Sequence, residues 1–292
     1  MSRGYHFLGC IQIAVSFREP EKHQCLLFAD RFYNPDPETD GDGREKPANS
    51  PWTFRRQMQQ AKAQLPPSKG VWLTEEGQGP DLQATRMLAM ELSYNSNART
   101  QGWTQGEVLQ SLDHARMWVT AIAEGGTGYS YHTLQGLRVD DANTPLLALC
   151  NVHTLARLGL GRRSTNASRL ELGQNSSSAW IGYRFDVAPD GDGCSLVVAV
   201  WPRDAEFATA TPVTVASQDP SQLSVISQWG NTVPLEASSS GATFQLDRAV
   251  NFICLRGDAS RGSEAAGAIA AALAAVPGGP RPSVAWPDVP KG

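Results

Sequence analysis

The stretch Val71-Trp72-Leu73-Thr74-Glu75-Glu76-Gly77 places three apolar residues directly before a threonine, two neighbouring carboxylates and a glycine. An apolar run that ends in acids is typical of a buried parallel strand whose carboxyl end delivers a side chain to the mouth of a pocket. Because successive side chains of a strand point to opposite faces, only one glutamate is expected on the pocket side. A glutamate pair that merely opens a solvated turn is the alternative.

The segment before this strand has the order strand, loop, helix and turn. Apolar stretches predict strands over Cys10–Phe17 and Cys25–Tyr33. Ser50 is a suitable helix N-cap before Pro51, and the helix formers that follow end at Pro66-Pro67. A helix between two apolar strands indicates an α/β repeat rather than a β meander.

The same order continues after the strand. Apolar residues at helical spacing predict a helix over Gln105–Glu124, which Gly125-Gly126 ends. The next predicted strand, Thr127–Leu134, carries three polar aromatic residues near its end: Tyr129, Tyr131 and His132. These residues are candidates for a pocket wall, and an aromatic strand packed against helices is the alternative.

The amino-acid composition of the chain changes beyond this strand. A third helix is predicted from a cap at Thr144, with Pro145 at its first position, to Gly159. From about Arg162 serine, threonine, glycine and β-branched residues dominate, and short strands recur over 179–187, 194–201, 212–216, 223–227, 242–246 and 250–255. This pattern predicts an antiparallel sandwich. An alanine-rich segment over 264–276 predicts a weak helix before a disordered tail.

The length of 292 residues predicts more than one domain. The expected units are an α/β region over 1–160, the sandwich over 161–258 and an alanine-rich end over 259–292. A net charge of −4 argues against nucleic acid and anionic membrane surfaces as partners. The chain is expected to be soluble, because no apolar run approaches the roughly 20 residues that span a bilayer. Its start makes a poor signal peptide, so the compartment stays open.

The five cysteines show no paired spacing, and we expect buried free thiols. The five histidines are equally dispersed, so neither a metal site nor another cofactor is expected. Asn166-Ala167-Ser168 and Asn175-Ser176-Ser177 are formal glycosylation sequences, usable if the chain enters a secretory route.

Several stretches, in the same order along the chain, resemble the second half of a clan A glycoside hydrolase of the family 39 type, which includes xylosidases and iduronidases. Val71–Gly77 resembles the end of the seventh barrel strand, where apolar residues precede Thr-Glu-x-Gly. Asp30-Arg31-Phe32-Tyr33 resembles the end of the sixth strand, and Gly128-Tyr129-Ser130-Tyr131 resembles the eighth. Leu196–Trp201 and Gln228-Trp229-Gly230-Asn231 resemble parts of the accessory sandwich.

The resemblance covers Asp30 to Arg256 and implies an α/β plus all-β fold: the C-terminal strands of a partial (β/α)8, or TIM, barrel followed by an antiparallel β-sandwich. It implies that Glu75 is the nucleophile of a retaining O-glycosidase. It also implies a carbohydrate substrate held by the remaining candidates, Tyr33, Glu76, Tyr129, Tyr131 and His132.

One departure from the family pattern concerns the second carboxyl group. The family's acid/base is the glutamate of an Asn-Glu pair, and no Asn-Glu pair occurs in this sequence. About 160 residues precede the sandwich, whereas a complete barrel takes about 250. An incomplete barrel exposes a parallel edge, which favours self-association.

Three interpretations follow from the sequence. The chain is a retaining glycosidase that is incomplete as given, or a noncatalytic carbohydrate-binding protein or pseudoenzyme that has lost the acid/base. The third is an unrelated α/β domain joined to a sandwich, because a fold does not fix a function.

Overall fold

The computed structural model describes residues 5–8, 11–14, 25–29, 54–66, 71–76, 105–131, 138–139, 144–145, 147–160, 164–170, 172, 180–188, 193–202, 210–217, 219–247, 249–257 and 262–276. Its first part is a five-stranded sheet. In chain order and in spatial order, the strands are β1 (Tyr5–Leu8), β2 (Ile11–Ala14), β3 (Cys25–Ala29), β4 (Val71–Glu76) and β5 (Gly126–Tyr131).

The direction of the strands divides this sheet in two. β3, β4 and β5 run parallel, and each predicted strand of this region forms. β1 and β2 form an antiparallel hairpin that pairs with β3 and covers its edge, which an open parallel sheet would leave unpaired. The sequence did not predict β1, because four residues carry too little alternation to indicate a strand.

Two helices, α1 (Phe54–Ala63) and α2 (Gln105–Ala123), connect the parallel strands. Two side-chain hydrogen bonds show that they lie side by side. Arg55 Nε donates to Glu124 Oε1 over 2.7 Å, and Gln59 Nε2 donates to Glu124 Oε2 over 3.0 Å. Both helices therefore cover the same face of the sheet. Consecutive parallel strands that are neighbours, with their helices on one face, are the arrangement of a singly wound βα structure.

The third helix begins later than the sequence predicts. Thr144 is not a helix cap, because Thr144–Pro145 forms strand β7, which pairs with β6 (Arg138–Val139). The helix α3 starts at Leu147 and ends at Leu158. Proline is tolerated at the edge of a short β-ladder as well as in the first turn of a helix. Pro145 therefore did not distinguish a strand from the start of a helix. Gly159, at φ 73°, follows the end of α3.

Nine strands form the second part of the chain: β8 (Ser164–Arg169), β9 (Trp180–Val187), β10 (Cys194–Pro202), β11 (Thr211–Ala216), β12 (Leu223–Ser227), β13 (Thr232–Val233), β14 (Glu236–Ser238), β15 (Gly241–Leu246) and β16 (Asn251–Arg256). A six-stranded antiparallel sheet has the order β13-β12-β16-β10-β9-β8 and faces a three-stranded sheet of order β11-β15-β14. All six predicted strands of this part form. The missed strands β8, β13 and β14 are short or polar strands at sheet edges.

The central strands of the six-stranded sheet are buried on both faces. One face packs against α2 and α3 and includes Tyr183, Trp201 and Phe252. The other packs against the three-stranded sheet and helix α4 (Gly262–Ala275), which contributes Ala266, Ile269 and Leu273. All nine residues of β10 are buried, because layers cover both sides of this central strand. The helices of the α/β region and the sandwich therefore share one core.

The expectation of free thiols is wrong for two of the five cysteines. Cys194 of β10 and Cys254 of β16 form a disulfide, with their Cα atoms 5.6 Å apart. They lie 60 residues apart in sequence, so no short spacing indicated that they form a disulfide. Only the pairing of β10 with β16 brings them together. Cys150 of α3 keeps its thiol and is half-buried. Within the described segments, no helix combines the length and apolar character needed to cross a bilayer.

Candidate functional site

The predicted catalytic strand is the fourth in the five-stranded sheet, with parallel neighbours on both sides. Glu75 and Glu76 are its last two residues, and Tyr129 and Tyr131 lie near the end of the adjacent β5. The ladder pairs Leu73 with Tyr129 and Glu76 with Tyr131. Because parallel strands end at the same edge of a sheet, the glutamates and tyrosines meet at one edge, where ligands bind in α/β folds.

Two other candidates, Tyr33 and His132, lie outside the described residues. Tyr33 follows β3, whose partner in the ladder is β4, and His132 directly follows the last residue of β5. Four candidate positions, those of Glu75, Glu76, Tyr129 and Tyr131, therefore lie on the described backbone at this edge.

The end of β4 is irregular against both of its neighbours. Along β3 the partners pass from Leu27–Leu73 to Phe28–Glu75, and along β5 they pass from Leu73–Tyr129 to Glu76–Tyr131. On each side β4 holds one more residue than its neighbour, as in a β-bulge. Bulges are frequent beside active sites, where they re-aim a side chain. Strict alternation does not hold here, so the choice of Glu75 over Glu76 rests on the sequence motif.

A tight turn leads from α2 into the amino end of β5. Gly125 adopts φ 90°, a left-handed conformation that favours glycine, and its N–H donates to the Ile122 carbonyl over 3.1 Å. At Gly126 a Cβ atom would lie 2.7 Å from the carbonyl oxygen of Ala121. A side chain there would push β5 away from α2. The glycine pair that signals the end of the helix thus also sets how closely the candidate strand packs on it.

The N-terminal half of α2 is held by a buried polar cluster around Ser111. The Ser111 hydroxyl accepts from Gln228 Nε2 over 3.0 Å and from Trp229 Nε1 over 2.7 Å, and it donates to Asn151 Oδ1 over 3.2 Å. Asn151 Nδ2 donates to the Ser111 carbonyl over 2.6 Å. A hydroxyl has one donor and two acceptor positions, so Ser111 is saturated.

The cluster joins three elements that are far apart in sequence. Ser111 lies in α2, Asn151 in α3, and Gln228 and Trp229 in the turn between β12 and β13. The side-chain oxygen Oε1 of Gln228 also accepts from the backbone N–H of Val250 over 2.8 Å. The sandwich therefore fixes the helix that leads into β5. Sequence reasoning noticed the Gln228-Trp229 turn but had no signal for its partner in α2.

His114 is a further buried polar side chain of α2. It is 3% exposed, and its ring lies 4.3 Å from that of Trp118, which packs on the core between α2 and the six-stranded sheet. Desolvation by this burial lowers the pKa of His114 to about 3. The imidazole is therefore neutral near pH 7, and its surroundings belong to the core. The described residues contain no group of three or more His, Cys, Asp or Glu arranged to hold a metal ion.

The similarity of this chain to known proteins is limited to solved structures. No family model matches the chain, and no curated protein matches it. The chain is similar to a solved family 39 glycoside hydrolase from the gut symbiont Bacteroides cellulosilyticus WH2, with 18% identity and a TM-score of 0.46, over 76% of this chain and 42% of that one.

Two further solved structures are similar over comparable parts of the chain. The catalytic domain of GH30 xylanase C from Talaromyces cellulolyticus shows 15% identity and a TM-score of 0.38, over 65% of this chain and 41% of that one. An Anoxybacillus alpha-amylase shows 12% identity and a TM-score of 0.34, over 65% and 38%. The chain thus spans 42% or less of these three enzymes. These three solved structures are glycoside hydrolases by their own names.

Proposed function

We propose that this chain is a glycoside hydrolase-like protein, incomplete as given, whose carboxyl edge of β4 and β5 belongs to a retaining O-glycosidase site with Glu75 as nucleophile. The observation that carries the proposal is the irregular end of β4, where Thr74-Glu75-Glu76 breaks the ladder to both parallel neighbours. The tyrosine positions of β5 adjoin that break.

The chemistry of this class requires a negatively charged nucleophile next to the sugar ring. Retaining glycosidases attack the anomeric carbon with one carboxylate, while a second carboxyl group about 5 to 5.5 Å away protonates the leaving oxygen. Glu75 is proposed for the first role. Tyr33, Glu76, Tyr129, Tyr131 and His132 are proposed to bind the sugar, since aromatic rings pack against the apolar faces of sugars and phenols donate hydrogen bonds.

The winding of the sheet supports a barrel-like origin. Neighbouring parallel strands in sequence order, with α1 and α2 on one face, are the unit from which a (β/α)8 barrel is built. In such barrels the catalytic residues stand at the carboxyl ends of the strands, where Glu75 and Tyr131 lie. We propose that β3, β4 and β5 correspond to the last strands of such a barrel.

The alternative function is noncatalytic carbohydrate binding. It is favoured by the absence of an Asn-Glu pair from the sequence, because without an acid the leaving oxygen of an ordinary glycoside departs slowly. An aryl glycoside with a good leaving group needs little acid assistance, so it reports on the nucleophile alone.

The test is covalent trapping of the nucleophile. The full chain is incubated with a panel of aryl glycosides, and with their 2-fluoro analogues, whose slow breakdown lets a glycosyl-enzyme accumulate. We expect one sugar to be added per chain, on the peptide that contains Glu75, and Glu75→Gln to abolish both the adduct and aryl glycoside hydrolysis, by a factor on the order of a thousand or more.

Glu76→Gln is the matched control, because it removes a neighbouring carboxylate of the same size. It should retain the adduct on Glu75. An adduct on Glu76, or hydrolysis that persists unchanged in Glu75→Gln, contradicts the assignment of the nucleophile. Sugar binding without any adduct, measured by calorimetry on the same panel, supports the noncatalytic alternative.

A further inference from the structure

Asn166 occupies an exposed position on an edge strand of the sandwich. β8 lies at the end of the described order of the six-stranded sheet and pairs with β9. Asn166 and Ser168 are both exposed. With Ala167 between them they form the N-x-S sequence that accepts N-linked glycans, and the proposed glycosidase function plays no part in this feature.

The two exposed residues lie on the solvated side of the strand. Ala167 packs against the core that the six-stranded sheet forms with α2 and α3, and its neighbours in a strand point to the opposite side. There the ladder pairs Asn166 with Asp186 and Ser168 with Arg184. Arg184 and Asp186 are both half-buried and form an ion pair of 2.8 Å. The acceptor amide thus lies on the exposed side of the strand, beside this ion pair.

The side-chain geometry is compatible with the modification. Asn166 Nδ2 donates to Asp186 Oδ2 over 3.3 Å. A primary amide has two N–H bonds, and the attached sugar replaces only one. The modified amide therefore keeps an N–H for Asp186. The Asp186 carboxylate and the Arg184 guanidinium could also contact the hydroxyl groups of the first sugar.

The disulfide of the same sandwich supplies an independent observation. Cys194 and Cys254 are 4% and 0% exposed and are bonded to each other. Structural disulfides form in oxidising compartments, among which the lumen of the endoplasmic reticulum is also where N-linked glycans are transferred. We propose that Asn166 is an N-glycosylation site of a chain that folds in this compartment.

The reaction is a group transfer from a lipid diphosphate-linked oligosaccharide, catalysed by the transferase of the compartment. Asn166 Nδ2 forms a bond to the anomeric carbon of the first sugar. The bond from that carbon to the diphosphate oxygen breaks, and the lipid diphosphate leaves with the electron pair. One amide proton passes to a base of the transferase. No oxidant or reductant is required.

The test uses the full chain, directed into the secretory route of a eukaryotic cell by an added leader. Trypsin cleaves after Arg163 and Arg169, so Asn166 and the second sequon at Asn175 fall on different peptides. Release of the glycan by a peptide N-glycosidase in heavy-oxygen water marks each occupied site as a labelled aspartate. We expect the label at Asn166 in most molecules.

Variants separate this site from the second sequon. Asn166→Gln and Ser168→Ala should each remove one glycan, whereas Ser168→Thr, which keeps the acceptor sequence, should retain it. Asn175→Gln should leave the label at Asn166 unchanged. Peptide mapping without reduction follows the Cys194–Cys254 bond in the same sample. The proposal is overturned if Asn166 stays unlabelled, whether the disulfide has formed or not.

Discussion

The strands β4 and β10 make an instructive pair, because both begin as apolar runs in the middle of a sheet. β10 is buried at all nine positions and pairs along most of its length with β9 and β16. β4 shifts register against β5 at its start, and at its carboxylates it loses register against both neighbours. β10 is a strand made for packing, whereas the end of β4 departs from regular pairing at the residues proposed for chemistry.

This difference suggests a division of labour within the chain. The helices α2 and α3 share a core and a buried polar cluster with the sandwich, and the disulfide joins β10 and β16 of the sandwich. Substitutions there should therefore act on stability. The end of β4 should matter for carbohydrate chemistry. Four variants, one of them a double substitution, sharpen or break this comparison, ordered from the largest expected effect to the smallest.

The largest effect is expected for Trp201→Ala in β10. Trp201 is fully buried, and its ring is stacked on that of Tyr183 at a centroid distance of 5.6 Å. Removing a buried indole leaves a large cavity and should lower the free energy of unfolding by about 4 to 5 kcal/mol, measured by urea denaturation. Trp201→Phe is the control and should cost clearly less. A loss below about 1 kcal/mol in Trp201→Ala would contradict the central role of β10.

Removal of the disulfide should have the next largest effect. Replacing both Cys194 and Cys254 by alanine frees a loop of 60 residues in the unfolded chain, and the loop-entropy relation gives a loss of up to about 4 kcal/mol. Cys150→Ala serves as the control and should change the urea midpoint little. Equal midpoints for the double variant and the oxidised parent protein would show that the bond does not stabilise the fold by restricting the unfolded chain.

The Ser111 cluster should have an intermediate effect. Ser111→Ala leaves the buried side chains of Gln228 and Asn151 and the half-buried Trp229 each with one fewer hydrogen-bond partner, at a cost of about 3 kcal/mol. Ser195→Ala is a matched control, because Ser195 is also buried but makes one 3.3 Å bond to the Leu255 carbonyl, with a cost of about 1 kcal/mol or less. Hydrogen exchange should be faster in α2 and β5 of Ser111→Ala, and equal exchange in both variants would break the proposed link from the sandwich to β5.

The smallest of the four effects depends on pH and concerns His114. Its pKa is about 3 in the folded chain and about 6.5 when unfolded, so the unfolded state binds a proton that the folded state does not over this range. Stability should therefore fall as the pH drops below 6.5, by about 1.4 kcal/mol per pH unit, or about 2 kcal/mol by pH 5.

His114→Gln should flatten this slope between pH 6.5 and 5, as followed by urea denaturation at each pH. His153→Gln is the control, because His153 lies exposed on α3 and its replacement should leave the slope unchanged. An identical slope in His114→Gln and in the parent protein would show that His114 is solvated in the folded chain.

The sequence was sufficient for elements that carry a strong local signal. The pattern of apolar residues located β4, α2 and the main sandwich strands to within a few residues, because their periodicity depends on which side faces a core. Gly125 also announced the end of α2, since only glycine adopts its positive φ without strain. At Pro145 the local signal failed, because the same residue type suits a helix start and an edge strand.

The sequence by itself thus determined the order of the main strands and helices and offered Glu75 as a candidate nucleophile. Only the tertiary structure decided that Cys194 bonds to Cys254, that Ser111 meets Gln228, and that the ladder of β4 breaks at its glutamates. The physical reason is sequence distance. Propensity and periodicity act over a few residues, whereas these contacts join segments that only the pairing of strands and the packing of helices bring together.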